Sequence, residues 1–324
     1  MPEGMAGRAG WVGAGGGQAP EGPRGVRLGL APVNWNNDDV PEWGQTVSYA
    51  GLVAMTAGLG YDGLEDGTGA PRAADALEAL LAGHRCALAG AYLWLTLSDA
   101  ARAEAEVATA LRAADRLAAA GADTLLVAEH WTEARRAVAG RAAAHPGLAL
   151  PPQALRCLCA HLDALGRAVR GLGLRLAFHP HAGTPVETAE EVEGVLAATD
   201  PDTVGLCLDT GHTVYGGGDP LETARRHAGR ILYVHAKDVD LEALADTRRR
   251  GLGLLDGLRR GVFSPVYGTP ADRSGVDIDA VGATLREAGF RGWVIQECDR
   301  NPRAGDPAQE AALARDRLRA AFGG

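Results

Sequence analysis

Lysine is almost missing from this chain of 324 residues: of 32 basic side chains, 31 are arginine and one is Lys237. No basic block occurs, and the net charge is −9 with a pI near 5.5, which excludes nucleic acid and anionic membranes as main partners. No apolar run approaches the roughly 20 residues of a membrane-spanning helix. The five cysteines (Cys86, Cys157, Cys159, Cys207 and Cys298) are odd in number and lack CxxC spacing. That pattern argues against a disulfide framework and a zinc ribbon. It fits a reducing cytoplasm. The Gly/Ala/Pro-rich residues 1–25 lack the apolar core of about 7–15 residues that an export signal needs. They read as a disordered leader.

What is present is a regular alternation. Apolar residues make up 46% and charged residues 23%, enough for a packed core. Short apolar runs at 26–31, 61–65, 86–94, 124–129, 174–179, 204–208, 230–235 and 292–297 read as strands buried on both faces. Helical patterns separate them: 42–57, 73–81, 98–120, 152–171, 187–198, a short one opened by Asp219-Pro220, and 278–288, with 308–321 closing the chain. Residues 132–150 read as a loop able to fold over a site, and 239–277 as irregular or partly helical. Such alternation implies parallel strands with right-handed crossovers. An open doubly wound sheet would want a glycine-rich phosphate loop after the first strand, and residues 29–37 hold no GxGxxG. The expected fold is therefore a single α/β domain, a (β/α)8 TIM barrel, over residues 26–322.

Five of the strands finish on a side chain able to bind metal: Glu129, His179, Asp209, His235 and Glu297. In a barrel all strand ends meet at one rim, so these residues should converge with Glu65, His181, His212 and Lys237. Carboxylates and imidazoles crowded together repel or desolvate one another unless a cation or a network satisfies them. A divalent metal with mixed nitrogen and oxygen ligands is the economical solution, Mn²⁺ or Co²⁺ first, with Zn²⁺ and Mg²⁺ as further choices. Lys237 stands two residues after a strand-end histidine. Unlike arginine it is compact and able to lose its proton.

The segments Phe178-His-Pro-His-Ala-Gly-Thr184, Leu208-Asp-Thr-Gly-His212, Val234-His-Ala-Lys-Asp238 and Val294-Ile-Gln-Glu297 resemble the xylose isomerase-like sugar isomerase/epimerase superfamily. The first of them, with the opening Asn34-Trp-Asn-Asn-Asp-Asp39, is similar to its inosose dehydratase branch. The resemblance covers about residues 26–322. It implies a TIM barrel with four strand-end ligands for one divalent cation. Asp209, His235 and Glu297 match three of them directly. His179 stands where many members carry glutamate, and Glu129 is an alternative source of the missing carboxylate.

The resemblance further implies a metal-dependent lyase that dehydrates a cyclic ketopolyol through an enediolate. The alternative is an isomerase or epimerase of sugars or sugar phosphates on the same site. A hydrolase such as an endonuclease would want a basic groove, and a silent sugar-binding barrel would not need an intact ligand set. Glu129 or His181 would move the proton, and Lys237 would stabilise an oxyanion or protonate the leaving hydroxyl. Trp35, Glu65, Trp94 and His212 would bind substrate, with Trp131 as a further wall. The expected partner is a small polyol or sugar, with self-association into a homo-oligomer left open. Residues 264–277 are longer than the corresponding loop of the resembled enzymes.

Overall fold

The computed structural model describes residues 25–323. The expected leader lies outside the described residues except for Gly25. Eleven strands form among them: β1 Arg27–Leu30, β2 Gly63–Leu64, β3 Ala87–Leu88, β4 Ala91–Leu95, β5 Thr124–Glu129, β6 Arg175–Phe178, β7 Val204–Asp209, β8 Ile231–Ala236, β9 Asp238–Val239, β10 Phe263–Ser264 and β11 Trp293–Gln296. Nine of them make one parallel sheet in the order β3-β2-β1-β11-β8-β7-β6-β5-β4. Its two edges, β3 and β4, are consecutive halves of one expected strand, interrupted only at Ala89-Gly90. The sheet therefore closes on itself as an eight-unit barrel. Gly90 sits in a tight place, since a Cβ there would meet Leu126 Cδ1 and Thr124 O, each at 2.9 Å.

Alternation along the strands divides the core in two. Ala31, Ala89, Leu126, Ala177, Cys207, Tyr233, Trp293 and Ile295 fill the barrel interior. The intervening residues join the larger core between strands and helices. Gly29 and Gly63 leave space for the interior: a Cβ on the first would reach Ile295 at 2.5 Å and on the second Trp293 at 2.5 Å. With the inner barrel plugged this way, the functional space is at the carboxyl rim.

The helices deviate from expectation where side chains capture the backbone. The helix expected at 42–57 runs over Tyr49–Gly58, N-capped by Ser48. Ahead of it, Asn36 Oδ1 accepts from Thr46 N at 2.8 Å and Val47 N at 3.2 Å, which holds that stretch out of a helix. The next long helix begins at Ala103 and ends at Ala119, with Asp99 spent on a preceding turn. Residues 132–150 contain a short helix, Glu133–Ala137, and two 3₁₀ turns. Pro152–Gly171, Ile278–Glu287 and Pro307–Phe322 form close to where their patterns place them. Within 239–277, helices Leu241–Arg249 and Leu254–Arg259 are followed by β10, which pairs antiparallel with β9.

Candidate active site

Inward parity carries from the barrel interior to its rim. On β6, Ala177 points in and so does His179. The same step leads from Cys207 to Asp209 on β7, from Tyr233 to His235 on β8, and from Ile295 to Glu297 on β11. Four side-chain atoms meet there. His179 Nε2 lies 3.1 Å from His235 Nδ1. It lies 3.4 Å from Asp209 Oδ2, which is 3.6 Å from His235 Nδ1. Glu297 Oε2 is 2.7 Å from His235 Nδ1.

Asp209 Oδ2 and Glu297 Oε2 are buried and make no well-aligned hydrogen bond, although Lys237 Nζ lies 3.1 Å from the first and His235 Nδ1 2.7 Å from the second. Buried carboxylate oxygens left so are costly. Donors bonded to one cation at about 2.0–2.2 Å stand about 3 Å apart, so these spacings, with two oxygens whose hydrogen bonding is poorly aligned, fit a shared divalent ion. Two imidazoles and two carboxylates suit Mn²⁺, Co²⁺ or Zn²⁺ better than the all-oxygen shells of Mg²⁺ and Ca²⁺. Cys207 lies beside His179 and His235. Burial pushes its thiol far up, so it offers no thiolate.

Around the four, other groups fix orientation and charge. Glu65 Oε1 is 2.9 Å from His235 Nε2 and accepts from Tyr233 Oη at 2.9 Å. Glu65 thus aims the His235 ring so that Nδ1 faces the other donors. Asp209 Oδ1 caps the following short helix by accepting from His212 N at 2.7 Å, which leaves Oδ2 to the cluster. Lys237 is fully buried, with Nζ 2.5 Å from Glu297 Oε1, 2.5 Å from Asp299 Oδ2 and 3.1 Å from Asp209 Oδ2. Burial opposes charge on Lys237, but the Asp209, Asp299 and Glu297 carboxylates outweigh it and raise its pKa. Burial likewise opposes ionisation of Glu297, yet His235 and Lys237 hold it below the usual carboxylate range. Burial pushes Asp299 up to about 7, with Lys237 pulling it down and Glu297 pushing it up.

His181 sits above the cluster. Its Nδ1 is 2.8 Å from Ala182 O and must be the protonated nitrogen, because a carbonyl only accepts. Nε2 therefore keeps its lone pair. Burial, then the neighbouring His179 and Lys237, hold the ring down to about 3, so it is a neutral base. The His212 ring backs it at a centroid distance of 3.6 Å. Tyr92 and Trp94 flank the two histidines of β6: Tyr92 lies edge-on to His179 at 5.1 Å and Trp94 edge-on to His181 at 4.9 Å. The cavity these groups open into, roughly 470 Å³, is lined also by Asp38, Asp39, Glu65, Asp66 and Asp299. That volume falls within the range of about 300–1,000 Å³ for small-molecule sites.

Several expected site residues are placed elsewhere. Glu129 is on the outer face of β5, one residue out of phase with the inward Ala128. Its carboxylate accepts from Leu97 N, Ser98 N and Ser98 Oγ, and it neither joins the four donors nor lines the cavity. Trp35 is buried in the outer core, and Trp131 stacks under Arg136 at 4.0 Å. Lys237 and His212 stand behind the cavity lining and not on it. No residue of 132–150 or 264–277 lines the cavity. Asp299 and Tyr92 were missed. Asp299 falls two residues beyond Glu297, on the same parity, and that spacing was the available signal.

The family model described as xylose isomerase-like TIM barrel matches residues 53–321. Inosose dehydratase of Geobacillus kaustophilus (strain HTA426) is 34% identical over 295 residues, 90% of this chain and 92% of that protein. Among solved structures, a D-allulose 3-epimerase from Methylomonas sp. in complex with D-allulose superposes with a TM-score of 0.66 at 15% identity, over 94% of this chain and 100% of that one. The IolI protein with a binding zinc atom superposes with a TM-score of 0.64 at 15% identity, over 92% of this chain and 100% of that one. With a family match spanning most of the barrel and a relative of this identity over nine-tenths of its length, the chain belongs to the xylose isomerase-like TIM-barrel family.

Proposed function

We propose that the chain is a divalent-metal-dependent lyase that removes water from a neutral cyclic ketopolyol, as an inosose dehydratase does. More broadly it is an enzyme of sugar chemistry, a lyase or an isomerase/epimerase. One observation carries the finer reading: His179, Asp209, His235 and Glu297 converge beside the free Nε2 of His181, and the cavity onto which His179, His235 and Glu297 open is lined, among the described residues, by carboxylates, rings and small residues and by no lysine or arginine. A phosphorylated or carboxylated substrate would want a cation in that lining. A polyol wants hydroxyl acceptors, and Asp38, Asp39, Glu65 and Asp299 supply them.

The bound cation would polarise the substrate carbonyl and a neighbouring hydroxyl, which acidifies the C–H between them. His181 Nε2 accepts that proton. The C–O bond one carbon further on breaks, and the hydroxyl leaves as water with a proton from Asp299, the cavity-lining carboxyl that Lys237 backs. The product enol becomes a dione. Lys237 acts through Asp299, Glu297 and Asp209 without touching substrate. Tyr92 and Trp94 present ring surfaces to the apolar face of the polyol. The five cysteines are all free, which agrees with a reducing cytoplasm. No helix among the described residues is long and apolar enough to cross a membrane.

The test is incubation of the metal-stripped protein with an inosose, with and without Mn²⁺ or Co²⁺, following the dione. A panel of ketohexoses and ketose phosphates runs in parallel. Metal-dependent dione formation is the expected result. Epimerised or isomerised ketose without loss of water would replace dehydration by the alternative chemistry, and turnover restricted to phosphorylated sugars would contradict the neutral substrate.

A further inference from the structure

Of the asparagines of Asn34-Trp35-Asn36-Asn37 only Asn36 reaches the cavity lining, yet each holds main chain. Asn36 ties residues 46–47, and Asn37 Oδ1 accepts from Asp39 N and Val40 N. Asn34 reaches furthest. It lies in the 3₁₀ turn Pro32–Asn34 directly after β1 and is 5% exposed. Its Nδ2 donates to Gln296 O at 3.1 Å and to Gln296 Oε1 at 2.9 Å, and its Oδ1 accepts from Cys298 N at 2.7 Å. The two main-chain atoms it holds are the carbonyl before Glu297 and the amide after it.

The pairing of β1 with β11 ends at Leu30 and Gln296. Just past that rung Ala31 N still donates to Gln296 O at 3.2 Å, and the next amide on this side, Cys298 N, donates to the Asn34 side chain. On the other side Glu297 N donates to Ala236 O at 3.2 Å, next to His235. The Asn34 amide therefore shares the Gln296 carbonyl with Ala31 N and extends the pairing past Glu297 to Cys298 N. It sets how the Glu297 Cα–Cβ bond leaves the rim, and so where Oε2 stands relative to His235 Nδ1 and Asp209 Oδ2. An amide is the side chain of this length that both donates to one main-chain carbonyl and accepts from the following amide. Aspartate would turn both donations to Gln296 into repulsion.

We infer that Asn34 is a positioning residue for metal binding: it brackets the peptide of Glu297 and orients that carboxylate toward the cation. The inference rests on Glu297 being a ligand, as in the proposed function. Groups that orient metal ligands cost about 10–100-fold in metal affinity when removed. Mn²⁺ titration calorimetry on the full chain should find Asn34→Ala weaker by about that factor and Asn34→Asp weaker still. In a Glu297→Gln background, Asn34→Ala should add less than about threefold, because coupled residues are not additive.

Thermal melting in chelator supplies the separate readout. A merely structural asparagine would lower the melting temperature while leaving Mn²⁺ affinity alone. Unchanged affinity in Asn34→Ala, with a clear loss in Glu297→Gln, overturns the inference and keeps the ligand. Unchanged affinity in Glu297→Gln overturns the ligand assignment itself. Fully additive losses also overturn the inference, since Asn34 would then act through another group. Should Asn34→Ala not fold, Gln296→Met removes one of the three bonds. It is expected to weaken Mn²⁺ binding in the same direction, and unchanged affinity there counts against the inference.

Discussion

Lys237 offers the sharpest test of the charge arrangement. Its ammonium is fully buried and contacts Glu297, Asp299 and Asp209 within 2.5–3.1 Å. Lys237→Met keeps most of the side-chain volume and leaves three buried carboxylates facing one another. Removing one partner of a buried ion pair costs about 3–5 kcal/mol, because the remaining charge is uncompensated. For a chain of this size that is a fall in melting temperature of about 6–10 °C in chelator at pH 7.5, at roughly 2 °C per kcal/mol.

The pH dependence follows from the directions of the shifts. The folded pKa of Lys237 is raised, so its stabilisation is complete below the unfolded value of about 10.5 and is lost only as pH rises through the folded value. Asp299 is pushed up to about 7 even with the lysine present, and a raised carboxyl destabilises above its unfolded value. Both proteins should therefore regain stability as pH falls from 8 toward 5 and Asp299 takes up its proton, the variant by more, because it has lost the ammonium that holds the Asp299 pKa down. Excess Mn²⁺, sharing Asp209 and Glu297, should raise the melting temperature more in the variant than in the parent. A Lys237→Met protein that melts within about 1 °C of the parent in chelator would refute the uncompensated-charge argument.

Three further outcomes are expected. Asp209→Asn and Glu297→Gln should each weaken Mn²⁺ binding by more than about 10²-fold and lower turnover with it, and unchanged metal content in both would mean the ligand set is wrong. His181→Asn should cut kcat by about 10²–10⁴-fold at unchanged Mn²⁺ affinity, and full activity would remove it as the base. Glu129→Gln should cost about 1–3 kcal/mol of stability through its bonds to Leu97 and Ser98 while kcat stays within about twofold, and a large kcat loss at normal stability would return Glu129 to the chemistry.

The barrel was legible because its strands are short and apolar and alternate with helical patterns, and three of the helices start at proline or aspartate signals. The third strand was less so. Residues 86–94 read as one run, and the structure interrupts it at Ala89-Gly90, between Ala87–Leu88 and Ala91–Leu95. The start of the first helix was hidden for a different reason. Thr46 and Val47 have no strong local preference, and their amides are claimed by Asn36 from ten residues away. A long-range claim of that kind leaves no periodic trace in the sequence.

Which strand-end residue faces the cavity turns on parity, and a strand buried on both faces hides its parity. All six residues of β5 are buried, so Glu129 looks as well placed as Asp209, the last residue of β7. Register decides between them. Leu126 pairs with Ala177, so the inward series on β5 is Leu126, Ala128 and then His130, while on β6 it is Ala177 and His179. Glu129 therefore pairs its carboxylate with the main chain of residues 97–98, and His179 occupies the inward place beside Asp209. The same rule, applied forward along the chain, finds what the motifs passed over. One parity step beyond Glu297 is Asp299, which lines the cavity, and one step beyond His235 is Lys237, whose ammonium neutralises both Asp299 and Glu297. The lone lysine is thus tied to the ligand set by strand geometry. Its complete burial behind the lining, with Nζ against three carboxylates, makes it a counter-charge to them and not a group on the cavity wall.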